Sequence, residues 1–206
     1  MRLVRLGLEH QSFRFDAQGV RQARPRGAHV PLSDKRSALS EVLARQGHIP
    51  ILQIGMAIDR MPLEPVLVAL GAAKTPGDLL NRWGRLERFV HSRHRIVEEN
   101  TRSHKLRLRH VSLVAGQPPR VEEDLLIFGV MVGLLRWTGV GGLRARFRGD
   151  VDWSFDGHWI NTPMARDTSD WEIAWDTVQA RPPLEKTGKD PVEQLWTLMM
   201  SDLTRR

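Results

Sequence analysis

The sequence predicts an α/β domain of the mixed α+β kind, with helices in the N-terminal half and a small sheet with a buried helix in the C-terminal half. Apolar residues recur at helical spacing through most of positions 33–90. From Lys105 to Leu113 the period changes to two, as in a strand. The uncharged apolar run Leu125–Leu135 predicts a helix that is buried on all sides.

Capping signals divide the first half into separate helices. Ser33 is a good N-cap for the first helix, and Gly47 is a good stop. For the fourth helix, Thr75 supplies an N-cap and Pro76 a proline at the first helical position. This helix is expected to run on toward Val97. The four predicted helices are Ser33–Gly47, Ile49–Ile58, Pro62–Ala73 and Thr75–Val90.

Turn residues divide the second half. The acidic run Glu122–Asp124 favours a helix start, so the buried helix is placed over 122–138. Within it, Gly129 and Gly133 are four residues apart, which would let another element approach closely. The segment Asp156–Asp170 is predicted to be irregular. The predicted strands are Lys105–Leu113, Leu143–Phe147, Val151–Phe155 and Trp171–Val178.

The length suits one ordinary domain with an appendage. Residues 1–32 are interpreted as an N-terminal segment and residues 33–180 as the domain. Residues 181–206 are predicted to be a linker, marked by Pro182-Pro183 and Gly188, followed by a helix that begins at Asp190-Pro191.

Composition excludes several classes of protein. The absence of cysteine removes disulfides, thiolate nucleophiles and cysteine-ligated metals, and it fits a cytoplasmic protein. Residues 1–15 show no secretory signal, and the longest apolar run is shorter than the ~20 residues that a membrane-spanning helix needs. The net charge of +7 comes mostly from scattered arginines, so a solvated basic exterior is favoured over a dedicated nucleic-acid surface.

No motif for catalysis is visible. The chain has no Gly-x-Ser-x-Gly turn, no His-Glu-x-x-His and no glycine-rich loop between a strand and a helix. Gly139–Gly142 follows a helix, which is the wrong order for phosphate binding. We therefore predict no catalytic residue, and the protein is interpreted as a binding protein rather than an enzyme.

Histidines near the end of the fourth helix offer an alternative function. His91 and His94 are three residues apart and Glu98 lies one turn further on, so all three could share a helix face. Two imidazoles and a carboxylate could bind a metal, and either histidine could ligate haem. Chance spacing among 8 histidines explains the pattern more simply, so no metal site or cofactor is predicted.

Tryptophan is the informative aromatic residue. The chain has 7 Trp and no Tyr, and four of the Trp residues fall within a short stretch. An indole gives flat apolar surface and one N–H donor, which suits a small-molecule pocket. Packing of a compact β region is the alternative. The four are Trp153, Trp159, Trp171 and Trp175.

Two stretches taken together resemble a known family. The first, Gly47–Gly55, contains the pattern Leu52-Gln53-Ile54-Gly55; the second runs from Thr75-Pro76-Gly77-Asp78-Leu79 to Arg95. In this order they resemble the N-terminal effector-sensing (arabinose-binding-like) domain of AraC-type transcription regulators. There, a Leu-x-Ile-Gly helix precedes a second helix, a strand, a buried helix and two more strands. The likeness in order covers roughly residues 33–150, and the segment Asp156–Lys189 departs from it.

The resemblance implies a cytoplasmic sensor that binds a small effector, works as a possible homodimer, and reaches DNA only through a helix-turn-helix domain expected outside this chain. It carries over no binding residue, because effectors vary within the family. Convergence of apolar faces places the expected pocket between the fourth helix, the buried helix and the following strands. The predicted ligand-binding residues are Trp83, Glu87, Trp137, Trp153 and Trp159.

Overall fold

The computed structural model describes residues 32–60, 65–87, 93–164 and 166–179. The N-terminal segment predicted over 1–32 and the linker and last helix predicted over 181–206 therefore lie almost wholly outside the described residues. Five α-helices and one 3₁₀ helix are described: α1 (Leu32–Gln46), α2 (Ile49–Met56), the 3₁₀ helix (Ala57–Arg60), α3 (Pro65–Gly71), α4 (Pro76–Glu87) and α5 (Val121–Trp137).

The strands form an antiparallel sheet of six and a separate pair. They are β1 (His94–Arg102), β2 (Lys105–Ser112), β3 (Val140–Gly141), β4 (Arg144–Phe147), β5 (Phe155–Asp156), β6 (His158–Trp159), β7 (Asp170–Ala174) and β8 (Thr177–Val178). The order in the large sheet is β1-β2-β7-β4-β5-β6, and β3 pairs with β8. Strand β7 therefore lies in the middle although it comes late in the chain.

The mixed α+β prediction is confirmed, with helices first and the sheet around a buried helix. Helices α1, α2 and α5 match their predicted positions closely. None of the helices in the described part of the chain is long and apolar enough to cross a membrane.

The fourth helix is shorter than predicted. It was expected to continue toward Val97, but α4 is described as far as Glu87, and His94 already begins strand β1. This strand is an edge strand with a bulge between Glu98 and Asn100, and most of its residues are exposed. Because neither face of β1 is fully buried, its residues do not alternate between apolar and polar, and pairing with β2 across a tight turn specifies it instead.

Three predictions in the C-terminal half were also wrong in detail. The strand predicted over Trp171–Val178 is two strands, β7 and β8, which belong to different sheets. Only Phe155 of the strand predicted over Val151–Phe155 is in strand β5. The segment Asp156–Asp170, predicted to be irregular, contains the short strand β6, which pairs with β5. Hairpin strands of two residues are too short to show a period, so sequence patterning does not detect them.

Helix α5 is the centre of the molecule, and nearly all of its residues are buried. On one side, Phe128 stacks on Trp171 at 5.2 Å between ring centroids and contacts Phe147 of the sheet at 4.9 Å. On the other side, α5 packs against α1 and α2. A helix with neighbours on both sides has to be apolar around its circumference, which explains its composition.

Glycines let α2 and α5 come into backbone contact. A Cβ at Gly129 would overlap the carbonyl oxygen of Leu52, and one at Gly55 would overlap the carbonyl oxygen of Leu126. At Gly133 a Cβ would lie 2.7 Å from the carbonyl oxygen of Met56. The predicted close approach at Gly129 and Gly133 is therefore confirmed, and α2 is the element that makes it.

Candidate functional site

Three of the five predicted ligand-binding residues lie on the helical side of the molecule, where α3, α4 and α5 contact one another. Trp83 of α4 is half-buried, and its indole N–H donates a hydrogen bond to Glu87 Oε1. That oxygen also accepts the backbone N–H of Ile96 at 2.9 Å. Glu87 therefore ties α4 to β1 and holds the Trp83 ring in place.

Trp137 of α5 packs against α3 on this helical side. Its indole is 9% exposed and packs flat against Gly71 of α3, where an added Cβ would lie 3.3 Å from the ring. Arg82 of α4 donates to the backbone carbonyl of Ala69 at 2.9 Å, which ties α4 to α3. Trp83, Glu87 and Trp137 thus belong to one group of three mutually packed helices.

The other two predicted residues lie elsewhere and on opposite faces of the sheet. Trp159 is in the core, with its ring centroid 4.9 Å from that of Phe155 and 5.9 Å from that of Phe128. Trp153 lies on the outer face, where the guanidinium carbons of Arg146 and Arg144 are 4.7 and 5.4 Å from its ring centroid. The structure does not bring all four indoles to one pocket, because the sheet separates Trp153 from the rest.

A buried polar network was missed by the sequence analysis. Its centre is Asp124 in the first turn of α5, which is 3% exposed. One carboxylate oxygen lies 2.8 Å from His110 Nδ1 on β2, and the other accepts the Thr168 hydroxyl at 2.7 Å. The sequence showed Asp124 only as an acid at a helix start, and no local pattern connects it with residues 14 and 44 positions away.

The two neighbouring acids extend this network to the helices. Glu123 accepts a hydrogen bond from Arg36 Nε of α1 at 2.9 Å, and Glu122 accepts the Ser40 hydroxyl of α1 at 2.6 Å. Three consecutive buried carboxylates therefore join α1, α5 and the sheet at the amino end of α5. Here the positive end of the helix dipole also favours negative charge.

Burial and partners shift the pKa values of two groups in this region. Burial lowers the pKa of His94, and the nearby His110, whose ring centroid is 5.0 Å away, lowers it further. Burial raises the pKa of Glu123, but hydrogen bonds from Arg36 and from the backbone N–H of Arg120 outweigh it, so the pKa of Glu123 is lowered overall. Both shifts keep the groups deprotonated.

The helix geometry behind the metal alternative is wrong. His94 opens a strand, so it does not share a helix face with Glu98, and His91 lies outside the described residues. In the described part of the chain, no group of three or more histidine or acidic side chains is placed to hold a metal ion.

The outer face of the sheet carries a second charged arrangement that we call the basic sheet face. Its residues are cations that alternate with core residues along β2 and along β4 with its following turn: Lys105, Arg107, Arg109, Arg144, Arg146 and Arg148. In the sequence these residues belong to the scattered basic groups that predict a solvated exterior. Strand alternation puts them on one face, and the pattern Arg144-Ala145-Arg146-Phe147 is a signal that could have identified it.

Two carboxylates of the central strand β7 lie between the two rows of cations. Glu172 is bonded by Lys105 Nζ and Arg146, each at 2.7 Å, and Asp170 by Arg148 at 2.9 Å and Arg109 at 3.3 Å. Burial raises the pKa of Glu172, but the bonds from Lys105 and Arg146 outweigh it and lower that pKa overall. The acids are covered by the side chains of the cations, so the cations form the outermost layer.

These pKa shifts predict that acidification destabilises the fold. A group whose pKa is lower in the folded state contributes stability above its unfolded pKa and loses it as the pH falls. The midpoint of thermal unfolding should therefore begin to fall below pH 6.5, the ordinary value for His94, and fall further below 4.5, the ordinary value for Glu172. The raised pKa of Asp150, caused by its burial, opposes this trend.

Thermal unfolding followed by circular dichroism between pH 4 and 8 checks this prediction. His94→Gln should flatten the upper part of the profile, and Glu172→Gln the lower part. If His94→Gln leaves the profile between pH 5 and 6.5 unchanged, His94 is not the group responsible.

No protein-family model matches this sequence, and no curated protein sequence matches it either.

Proposed function

We propose that this chain is the effector-sensing domain of an AraC-type transcription regulator, which binds a small molecule and controls DNA binding by a helix-turn-helix domain. The observation that carries the proposal is the packing of the Leu52-Gln53-Ile54-Gly55 segment. Gly55 brings α2 into backbone contact with the buried helix α5 at Leu126 and Val130. Two elements of the family pattern are the Leu-x-Ile-Gly helix and the buried helix. In this chain they contact each other at the glycine of the Leu-x-Ile-Gly segment.

The order of the elements supports the proposal as well. Helix α2 precedes α4, a strand follows, and the buried helix α5 is followed by the two-residue strand β3 and then by β4 and β5. This is the order that the resemblance requires, except that β1 and β2 form a hairpin in place of one strand. Two antiparallel strands joined by a short turn are the simplest way to add an edge strand to a sheet. The extra strand β1 therefore does not change the order of the other elements.

The effector site is proposed on the helical side, with Trp83, Glu87 and Trp137 as its ligand-binding residues. These helices present two indoles and one carboxylate, a combination suited to an apolar ligand with a polar or cationic group. Trp159 is packed within the core behind α5, and Trp153 is on the outer face, so neither is part of the proposed site.

Ligand binding would act through a shift in population between two arrangements of the helices. The buried network on Asp124, Glu122 and Glu123 links α1 to α5 and the sheet, so α5 and α1 move together. If an effector displaces α4 relative to α5, that displacement would in this way be transmitted to α1 on the opposite side of α5. In this proposal the protein is a cytoplasmic homodimer without catalytic activity or bound cofactor.

The test is a thermal-shift screen of the full chain against a library of small metabolites, followed by titration of the hits. A ligand at 100 times its Kd should add about 2.7 kcal/mol to the free energy of unfolding. Intrinsic tryptophan fluorescence should change with the same Kd. Trp83→Phe and Trp137→Phe should weaken binding by about 1–3 kcal/mol each.

Trp153→Phe is the matched control, since it changes the same ring on the outer face of the sheet. It should leave the Kd unchanged. A hit whose affinity depends on Trp153 and not on Trp83 or Trp137 would move the site to the outer face. A library in which no compound stabilises the chain would count against effector sensing itself.

A further inference from the structure

We infer that the basic sheet face binds the phosphate backbone of duplex DNA without sequence preference. This inference does not depend on an effector or on a helix-turn-helix domain. It follows from three observations on the outer face: the exposure of the cations, a cleft without acidic residues, and the position of Trp153.

The first observation is that the cations are more exposed than the two acids between them. The side chains of Glu172 and Asp170 are 6% and 7% exposed, whereas those of Arg107, Arg109 and Arg148 are 41–45% exposed. Each buried carboxylate fixes the cations that contact it and leaves their outer N–H groups available. Two more exposed acids also pair with cations of this face: Glu99 lies 3.4 Å from Arg109 and 3.3 Å from Arg148, and Asp176 lies 2.7 Å from Arg144.

The second observation is a shallow cleft at the hairpin end of β1 and β2. It has a volume of about 30 Å³ and is lined by Asn100, Arg102, Lys105 and Arg107. Three cations and an amide converge on it, and none of its lining residues is acidic. A phosphate oxygen could accept hydrogen bonds from several of these donors at once, and arginine is well suited to such contacts.

The third observation distinguishes duplex from single-stranded nucleic acid. Proteins that bind single strands stack bases on free aromatic rings. Trp153 is half-buried, and the guanidiniums of Arg144 and Arg146 lie against it at 5.4 and 4.7 Å. Its ring therefore positions two cations instead of offering a stacking platform. Fixed cations, two of which already occupy the Trp153 ring, fit the backbone of a duplex.

The experiment measures fluorescence anisotropy of a labelled random-sequence 20-base-pair duplex with the full chain at several salt concentrations. The double variant Arg102→Gln/Arg107→Gln removes two cations of the cleft. Its control, Arg45→Gln/Arg85→Gln, removes the same charge from exposed residues of α1 and α4. Thermal midpoints of both variants establish that the fold is intact.

The cleft variant should bind duplex roughly tenfold more weakly at low salt, and the slope of log K against log salt should fall by about 1 for each lost phosphate contact. The control should keep the affinity and slope of the parent chain. Equal losses in the two variants would overturn the inference, because net charge alone would then explain binding. Binding of a poly-glutamate peptide that depends on Arg102 and Arg107, without such dependence for duplex, would also overturn it in favour of an acidic protein partner. Absence of duplex binding would leave the effector proposal unaffected.

Discussion

Replacing Gly129 by alanine should lower the free energy of unfolding by about 3 kcal/mol, the upper end of the usual range for an overpacked core. The added methyl group would overlap the carbonyl oxygen of Leu52. Because that atom belongs to the backbone of α2, it cannot rotate away as a flexible side chain would. The whole of α2 has to shift, and contacts between Gly55 and α5 are lost with it.

Chemical denaturation followed by circular dichroism measures this effect, and another helical glycine provides the control. Gly84 of α4 is exposed, and a Cβ added there would meet nothing within 4 Å. Gly84→Ala should therefore stabilise the protein by about 0.5–1 kcal/mol, the ordinary helical advantage of alanine over glycine. Gly133→Ala should lie between the two variants and below the parent, since its nearest contact is 2.7 Å. A Gly129→Ala variant as stable as the parent would show that α2 and α5 are not in backbone contact.

Replacing Asp124 by alanine should cost about 3 kcal/mol or more. The substitution removes the acceptor for the Thr168 hydroxyl and the partner of His110 Nδ1, and both residues are at most 5% exposed. A buried polar group left without a partner costs about 1–3 kcal/mol, and here two are left at once. Water cannot readily replace the carboxylate at this depth.

A double-mutant cycle separates this network from a general effect of the substitution. Asp124→Ala and Thr168→Val should be less than additive, because each removes the same hydrogen bond. Asp156→Ala, at an exposed acid on β5, should stay within about 0.5 kcal/mol of the parent. Full additivity of Asp124→Ala and Thr168→Val would show that the two side chains do not interact.

The sequence predicted the helices and the central position of α5 because these features depend on local patterns. The cap at Thr75, whose hydroxyl accepts the backbone N–H of Asp78, and the uniformly apolar run Leu125–Leu135 each lie within one element, whereas Ser33, expected to be a cap, lies inside α1. Gly129 and Gly133 predicted a close contact between two elements, because backbones can approach so closely only where a residue has no side chain. The sequence did not identify α2 as the neighbour, because the contact joins residues far apart in the chain.

The site shows the same division between local and distant information. The sequence selected Trp83, Glu87 and Trp137 together with Trp153 and Trp159, and it could not tell which face of the sheet each indole occupies. A shift of one residue in strand pairing moves a side chain to the other face of the sheet. Strands β5 and β6, on either side of this choice, are only two residues long. The proposed site therefore keeps the three residues on the helices and omits Trp159, which lies in β6, and Trp153, which lies between β4 and β5.

What the sequence alone determined is the class of fold, the buried helix and the absence of cysteine chemistry, all of which depend on composition and short-range periodicity. Tertiary structure alone decided the edge strand β1, the network on Asp124 and the assembly of separate arginines into the basic sheet face. In each case the stabilising partner lies in another element. Strand β2 pairs with β1, His110 of β2 contacts Asp124 of α5, and Glu172 of β7 bridges β2 and β4. Alternation along β2 and along β4 puts each row of cations on one face of its own strand, but only pairing of both strands with β7 brings the two rows side by side.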